Sequence, residues 1–166
     1  MPGHSISNMR YFLDTEFNGF GGAVLSLALQ PEDLNLRPFY VARPKHVIDG
    51  MTLSDFVAGH VIPVIDTEGA EAVRARYSEW PHMLRRYLKD DASPHFVADW
   101  PDDLSYLLRA FVVSPGEIIS MPRFTCECVN LLTYPTRIEG AVRHNALWDA
   151  RALRAAYLAE GALRRA

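Results

Sequence analysis

The sequence predicts an α/β protein in which helices flank one mixed β-sheet. Three strand-like segments (residues 9–17, 23–30 and 37–42) follow one another with short turns between them. Short connections of this kind favour an antiparallel meander. Later in the chain, two further strand-like segments are each followed by a helical pattern, which favours strands that run parallel to a neighbour. We therefore expect a five-stranded sheet in which three antiparallel strands precede two parallel ones.

The segment Tyr11–Phe17 reads YFLDTEF and has the aromatic and threonine content typical of a strand. Side chains two residues apart lie on the same face of a strand, so Asp14 and Glu16 place two carboxylates side by side. Like charges in an apolar segment repel each other and lose hydration, and they normally need a proton or a cation. A solvated edge strand with two unremarkable acids is the structural alternative, and this segment alone does not decide between the two.

The next two strands are simpler. Glycines at 19, 21 and 22 predict a tight turn, and residues 23–30 (AVLSLALQ) are almost continuously apolar. A polar turn at 31–35 then leads into a third strand that ends at Ala42.

Helical patterns fill the middle of the chain. Thr52 or Ser54 is suited to cap a short helix that ends before Pro63. From Glu68 to Asp91 the apolar residues have helical spacing, with a break expected at Trp80–Pro81.

Strand and helix alternate in the C-terminal half. Residues 95–98 (HFVA) predict a fourth strand, and Pro101 opens a helix where its missing N–H has no cost. The fifth strand is expected within residues 118–126, from the apolar residues at its two ends. The last helix is expected from Ala146 to about Glu160.

Acids recur where the fourth strand ends. Asp99, Asp102 and Asp103 lie at the strand exit and in the first turn of the following helix. Acids in a first turn also stabilise the helix electrostatically, so a purely structural role is the alternative.

A third cluster of polar residues begins the last helix. Asn145 is the expected N-cap, with His144 on the preceding loop and Asp149 in the first turns. A loop histidine in this position can lie over a metal that Asp149 binds. An ordinary surface histidine is the alternative.

Composition limits the class of protein. The net charge of −3 argues against a protein that holds duplex DNA on a broad basic face. There is no apolar run long enough to predict a membrane span, and residues 1–8 lack the features of a secretory signal. We expect residues 1–8 to form a flexible leader before one domain at 9–166, in a cytoplasmic protein.

Cys126 and Cys128 are too close in sequence for an easy disulfide, and packing is their expected role.

The three acidic segments together carry a family resemblance. YFLDTEF, VADWPDDLSYLL and RHNALWDARAL resemble, in this order, the three motifs of DEDDh-type 3′–5′ exonucleases of the ribonuclease H-like superfamily. The opening MRYFLDTEF and the short chain are most similar to a family of small stand-alone bacterial exoribonucleases. In the second motif the usual Asn-x3-Asp form reads Asp99-x3-Asp103, so Asp103 is chosen by spacing, with Asp99 and Asp102 as alternatives.

The resemblance implies a ribonuclease H-like fold and a site for two divalent ions, Mg²⁺ or Mn²⁺. Asp14 would bridge both ions, Glu16 and Asp149 would hold the water-activating ion, and Asp103 would support the other. His144 would be the general base. The implied activity is hydrolysis of phosphodiester bonds at single-stranded RNA 3′ ends, with release of nucleoside 5′-monophosphates, as in RNA processing.

Substrate contacts are expected from residues beside the motifs. Phe17, Phe20 and Trp100 are candidates to stack on the terminal base, and Asn18 is a further candidate for substrate binding. Resemblance to small relatives also implies a homodimer. Two alternatives remain open at this point: a 3′–5′ exodeoxyribonuclease or proofreading-type subunit, and an inactive nucleotide-binding module of the same fold.

Overall fold

The computed structural model describes residues 8–131 and 138–163, so residues 1–7 of the expected leader lie outside it. The strands are β1 Arg10–Phe17, β2 Val24–Pro31, β3 Phe39–Ala42, β4 Val73–Arg74, β5 His95–Ala98, β6 Val112–Ser114, β7 Glu117–Ile118 and β8 Thr125–Cys128. The α-helices are α1 Lys45–Asp49, α2 Trp80–Tyr87, α3 Pro101–Arg109 and α4 Ala146–Leu163. Shorter helical turns cover Val57–Val61, Ile62–Val64 and Tyr77–Glu79.

Six strands of the described chain form one mixed sheet in the order β4-β3-β2-β1-β5-β8. β1 pairs antiparallel with β2, and β2 pairs antiparallel with β3. β5 lies parallel to β1, and β8 lies parallel to β5. The predicted arrangement of three antiparallel strands followed by two parallel strands is therefore confirmed.

The predicted number of five strands is wrong, because β4 adds a sixth strand parallel to β3. It lies inside the segment Glu68–Asp91 that the helical spacing assigned to a helix. Val73 pairs with Val41 instead, and α2 begins only at Trp80. The apolar residues at helical spacing here belong to a two-residue strand and a turn, because this strand pairs with β3.

The fifth predicted strand also differs from the structure. Within residues 118–126, Ile118 ends β7, which pairs with β6 in a separate two-stranded hairpin. The strand that joins the sheet is β8, which begins at Thr125 and runs past the predicted end to Cys128. The side chains of β8 are largely exposed, and an exposed strand needs few apolar residues. Its sequence therefore gives only a weak indication of a strand.

The short helical segment after Ser54 starts as predicted but does not end before Pro63. The Val57 amide donates to Ser54 Oγ at 3.3 Å, which is the expected cap. Helical turns then continue through Ile62–Val64, because Pro63 lies in the first turn of a new 3₁₀ segment where no N–H is needed.

The two faces of β1 pack against different helices. Tyr11 and Leu13 belong to a core that includes Leu84 of α2 and Leu107 of α3. Phe12 packs on the other face with Leu153 of α4. Because side chains alternate along a strand, Asp14 and Glu16 follow Phe12 onto the face that α4 covers.

None of the helices within residues 8–131 and 138–163 combines the length and apolar character needed to cross a bilayer.

Candidate active site

The acidic cluster lies where β1 and β5 end at the same edge of the sheet. Phe12 and Val97 are partners in the parallel ladder between these strands. Asp14 and Asp99 are each two residues beyond that pair, so they reach the edge at the same level. Parallel strands bring their carboxyl ends together, and this is where α/β sheets commonly bind ligands.

Asp103 completes the first group of acids. It lies in the first turn of α3, directly after β5. Ligand oxygens of Asp14, Asp99 and Asp103 all lie within 4.8 Å of one another. Three carboxylates this close form a site that favours a cation.

Asp103 is held in place by the residue between the two acids of β1. Its Oδ1 accepts hydrogen bonds from the Thr15 amide at 3.0 Å and from Thr15 Oγ1 at 2.6 Å. Both residues are buried. Oδ1 is therefore committed to β1, and Oδ2 is the oxygen left for a ligand.

The second group contains Glu16, His144 and Asp149, whose ligand atoms also lie within 4.8 Å of one another. Glu16 approaches the end of β1, where the register with β2 shifts between Glu16 and Phe17. Irregularities of this type often re-aim side chains next to functional sites.

Asn145 is the N-cap of α4, as the sequence predicts. Its Oδ1 accepts the Trp148 amide hydrogen bond at 3.0 Å. Its Nδ2 donates to the backbone carbonyls of Val64, Ile65 and Ala70 at 2.9, 3.0 and 3.2 Å. The start of α4 is therefore attached to a distant loop as well as to its own first turn.

His144 directly precedes this cap and has a left-handed backbone, with φ of 65°. Its amide donates to Asp149 Oδ2 at 2.9 Å. This conformation is uncommon for residues other than glycine, but histidine adopts it more readily than most. The backbone turn places the imidazole beside the carboxylates of Glu16 and Asp149.

Burial and mutual repulsion raise the pKa values of the clustered acids. Burial, together with Asp149 and Asp103, raises the pKa of Glu16 to about 8. Burial also raises the pKa of Asp103 to about 7, although the Thr15 hydrogen bonds oppose the shift. For Asp14, burial and then Asp103 and Glu16 hold the pKa well above its usual range.

The pKa values of the remaining two groups, Asp149 and His144, shift in opposite directions. Burial raises the pKa of Asp149 to about 6, against the opposing hydrogen bond from the His144 amide. Burial, Arg143 and His60 lower the pKa of His144. An imidazole with a lowered pKa is neutral at pH 7 and able to accept a proton.

One buried oxygen in the cluster has no partner. Asp14 Oδ2 is inaccessible to solvent and makes no hydrogen bond within the described residues. A buried, unpaired carboxylate oxygen is costly unless a cation or a proton compensates for it. Because carboxylate oxygens make up most of the possible ligand atoms, the residues fit hard divalent ions such as Mg²⁺ or Mn²⁺.

The structure separates the three acids of the second motif. Asp99 and Asp103 both join the cluster, so the site contains one carboxylate more than the four that the motifs predict. Asp102 is directed elsewhere, because its Oδ2 accepts a hydrogen bond from Trp100 Nε1 at 2.8 Å. Burial raises the pKa of Asp99 as well.

Four aromatic rings form a group at the end of β1 and along α3. Phe17 stacks on Tyr106 with a centroid distance of 4.7 Å, and Phe20 lies between Phe17 and Trp100 at 6.1 and 6.2 Å. Phe20 is 79% exposed and Trp100 is 50% exposed. Exposed aromatic side chains that are grouped together are typical of ligand-binding surfaces.

Asn18 has a different environment from the rings. Its Nδ2 donates to the Thr52 carbonyl at 2.8 Å, and its Oδ1 accepts from the Ser54 amide at 3.0 Å. Both ends of the side-chain amide are thus used to join the β1–β2 turn to the segment after α1.

Two contributors were not identified from the sequence. The sequence indicates Thr15 only as a residue typical of strands. Because Thr15 alternates with the two acids, its side chain lies on the opposite face of β1, where it bonds Asp103. Phe56 lies beside His144, with ring centroids 5.1 Å apart. Nothing in the local sequence of Phe56 indicates that contact, because 88 residues separate the two.

Cys126 and Cys128 are free and exposed on β8. Within the described residues neither cysteine belongs to a group able to hold a metal. The packing role expected for these residues is not supported by their exposure.

Comparison of this chain with models of known protein families finds no match, and comparison with curated proteins finds none either.

Proposed function

We propose that this protein is a metal-dependent 3′–5′ exoribonuclease that removes nucleotides from single-stranded 3′ ends. The observation that carries the proposal is that Asp14, Glu16, Asp103, His144 and Asp149 come from three separate segments and lie, together with Asp99, in two groups of possible ligands. The two groups are close enough for Asp14 to interact electrostatically with Glu16 and Asp149. They meet at the edge where β1 and β5 end, in the order of motifs that the resemblance implies. The strand order β3-β2-β1-β5-β8 within the sheet is in keeping with a ribonuclease H-like fold.

The acids are assigned to two ion positions. Glu16 and Asp149 would hold one ion, and Asp14, Asp99 and Asp103 would hold the other. Asp14 would also face the first ion, because its carboxylate interacts electrostatically with Glu16 and Asp149. When bound, two divalent ions generate a nucleophile at neutral pH and neutralise charge on the reacting phosphate. The buried Asp14 Oδ2, which has no partner in the described chain, supports this assignment.

His144 is assigned the proton transfer. Its imidazole lies beside Glu16 and Asp149, and its lowered pKa leaves a ring nitrogen free to accept a proton from the attacking water.

The exposed rings are assigned to the substrate. Phe20 and Trp100 offer flat, solvent-facing surfaces, and Trp100 directly follows Asp99 in the chain. Stacking on such rings suits an unpaired base at a strand end. Base stacking is tolerant of sequence, and an unpaired terminal base is free to turn onto a ring without breaking a base pair. Hydrolysis of the last phosphodiester releases a nucleoside 5′-monophosphate.

The preference for RNA and the cellular setting are parts of the same proposal. RNA is favoured by the similarity of the first motif to small exoribonucleases. The cytoplasm is favoured because exposed free thiols at Cys126 and Cys128 suit a reducing compartment. A homodimer is proposed from the same resemblance.

The test uses 5′-labelled single-stranded RNA, the matched DNA and the corresponding duplexes. We expect Mn²⁺ or Mg²⁺ to support stepwise shortening of single-stranded RNA, with nucleoside 5′-monophosphates as the product and complete loss of activity with a chelator. Asp14→Asn is the inactive control. Preferential shortening of DNA would indicate the exodeoxyribonuclease alternative. Nucleotide binding without hydrolysis in either metal would indicate an inactive module and would refute the proposed activity.

A further inference from the structure

The imidazole of His144 is held by ring contacts. Within residues 8–131 and 138–163, its ring nitrogens make no hydrogen bond to protein, and the hydrogen bond to Asp149 comes from the backbone amide. A general base needs a fixed ring direction, because small errors in the position of a catalytic group reduce the rate strongly. Some other contact must therefore set the direction of the His144 ring.

Two rings from the segment after α1 lie against it. Phe56 meets His144 edge-on, with centroids 5.1 Å apart and planes at 85°. His60 stacks on Phe56 at 4.8 Å and 17°, and its ring centroid is 6.4 Å from that of His144. His60 Nδ1 also lies 3.1 Å from the Phe56 carbonyl oxygen. We call Phe56 and His60 the ring pair.

The ring pair is anchored from below by apolar packing. The next residue, Val57, and Val61 are buried in a cluster with Leu25 of β2 and Ile48 of α1. This cluster fixes the backbone that carries both rings, although the rings themselves are exposed.

A second anchor comes from the turn that follows β1. The Asn18 side chain bonds both the Thr52 carbonyl and the Ser54 amide, at 2.8 and 3.0 Å. Ser54 in turn caps the helical segment by accepting the Val57 amide. The turn next to Glu16 and the segment that carries the ring pair are thus joined directly.

We propose that Phe56 is a positioning residue for His144, which holds the imidazole towards Glu16 and Asp149. This inference rests on the proposed exonuclease function. A role in stacking the substrate base is disfavoured, because one face of the Phe56 ring is already covered by His60 and the ring meets His144 edge-on. Because Phe56 is itself 52% exposed, the test has to separate positioning of His144 from stacking on a base.

The test is a double-mutant cycle between Phe56→Ala and His144→Asn. We expect Phe56→Ala to lower kcat by roughly 10- to 10²-fold with little change in KM, since the ring direction and not substrate affinity is affected. In the His144→Asn background, Phe56→Ala is expected to have no further effect, because the ring that it positions is gone. Phe56→Tyr keeps the ring and is expected to retain most of the activity.

Proton NMR of the His144 imidazole gives a readout that does not need turnover. Loss of the Phe56 ring is expected to weaken the NOE contacts between the His144 ring protons and the side chains of Glu16 and Asp149, whereas Mn²⁺ affinity stays at the wild-type value. Leu34→Ala is the matched control, because Leu34 is 68% exposed in the turn after β2 and is outside the site.

Two results would overturn the inference. One is a Phe56→Ala effect that persists in the His144→Asn background and appears in KM, which would make Phe56 a substrate contact. The other is an unchanged pattern of NOE contacts from the His144 ring to Glu16 and Asp149 in Phe56→Ala. If the wild-type protein hydrolyses neither RNA nor DNA, the proposed function fails, and the NMR comparison still decides whether Phe56 orients the ring.

Discussion

The backbone amide of His144 donates a hydrogen bond to Oδ2 of Asp149 across 2.9 Å, five residues further along the chain. One carboxylate oxygen thereby fixes the loop that carries the proposed base, and the other oxygen is left for an ion. The two functions of Asp149 can be separated by substitution.

Asp149→Asn is expected to weaken Mn²⁺ binding while preserving stability. The asparagine Oδ1 can still accept the His144 amide, but the negative charge is lost, so we expect the affinity to fall by at least about tenfold, or about 1.4 kcal/mol. Asp149→Ala is also expected to lower the free energy of unfolding by about 1–3 kcal/mol, because the part-buried amide loses its acceptor. Calorimetric titration and urea unfolding measure the two effects. Equal metal affinity in Asp149→Asn and wild type would contradict the assignment.

His144→Asn is expected to separate catalysis from metal binding. Asparagine tolerates the left-handed backbone at this position better than alanine, so the cap and the fold are preserved. We expect the rate to fall by roughly 10²–10⁴-fold with Mn²⁺ affinity unchanged. The wild-type rate is expected to rise with pH as the imidazole loses its proton, and this limb is expected to flatten in the variant. Turnover at the wild-type level would rule out His144 as the base.

Asp99→Asn replaces the additional carboxylate with an amide, and it tests whether that carboxylate binds an ion. We expect the weaker of two Mn²⁺ binding events to lose about tenfold in affinity, since one charge of the Asp14–Asp99–Asp103 group is removed. Asp102→Asn is the matched control, because Asp102 bonds Trp100 and lies outside the group. If the two variants bind Mn²⁺ alike, Asp99 is not a ligand.

Glu16 is expected to make the metal-free protein less stable as pH rises. Its pKa is raised to about 8 in the folded state, above the ordinary value of about 4.3 in the unfolded chain. The folded state therefore binds the proton more tightly, and this stabilisation is complete below about pH 4 and is lost as pH rises through about 8.

Thermal unfolding in a chelator, measured between pH 5 and pH 8, checks this expectation. We expect Tm to fall across the interval, the fall to be smaller in Glu16→Gln, and Mn²⁺ to restore Tm most strongly at pH 8. Glu117→Gln, an exposed position in the separate β6–β7 hairpin, is the control. A slope that Glu16→Gln leaves unchanged would show that other groups cause it.

The sequence by itself determined the features that depend on local spacing. Alternation along β1 sets Asp14 and Glu16 on one face, and the preference of asparagine for an N-cap places His144 and Asp149 around the start of α4. The order and direction of the central strands also followed, because connection length limits how neighbouring strands can pair. These rules act over a few residues or over one connection.

Only the tertiary structure decided which distant groups meet. Asp99 and Asp103 both join Asp14, whereas Asp102 turns to Trp100, a choice set by the pairing of β5 with β1 and by the Thr15 hydrogen bonds across 88 residues. Helical spacing at Val73 was overridden by pairing with β3. The contact of Phe56 with His144 likewise depends on a buried cluster under the ring pair. Such contacts are fixed by the packing of the whole fold, which local periodicity does not encode.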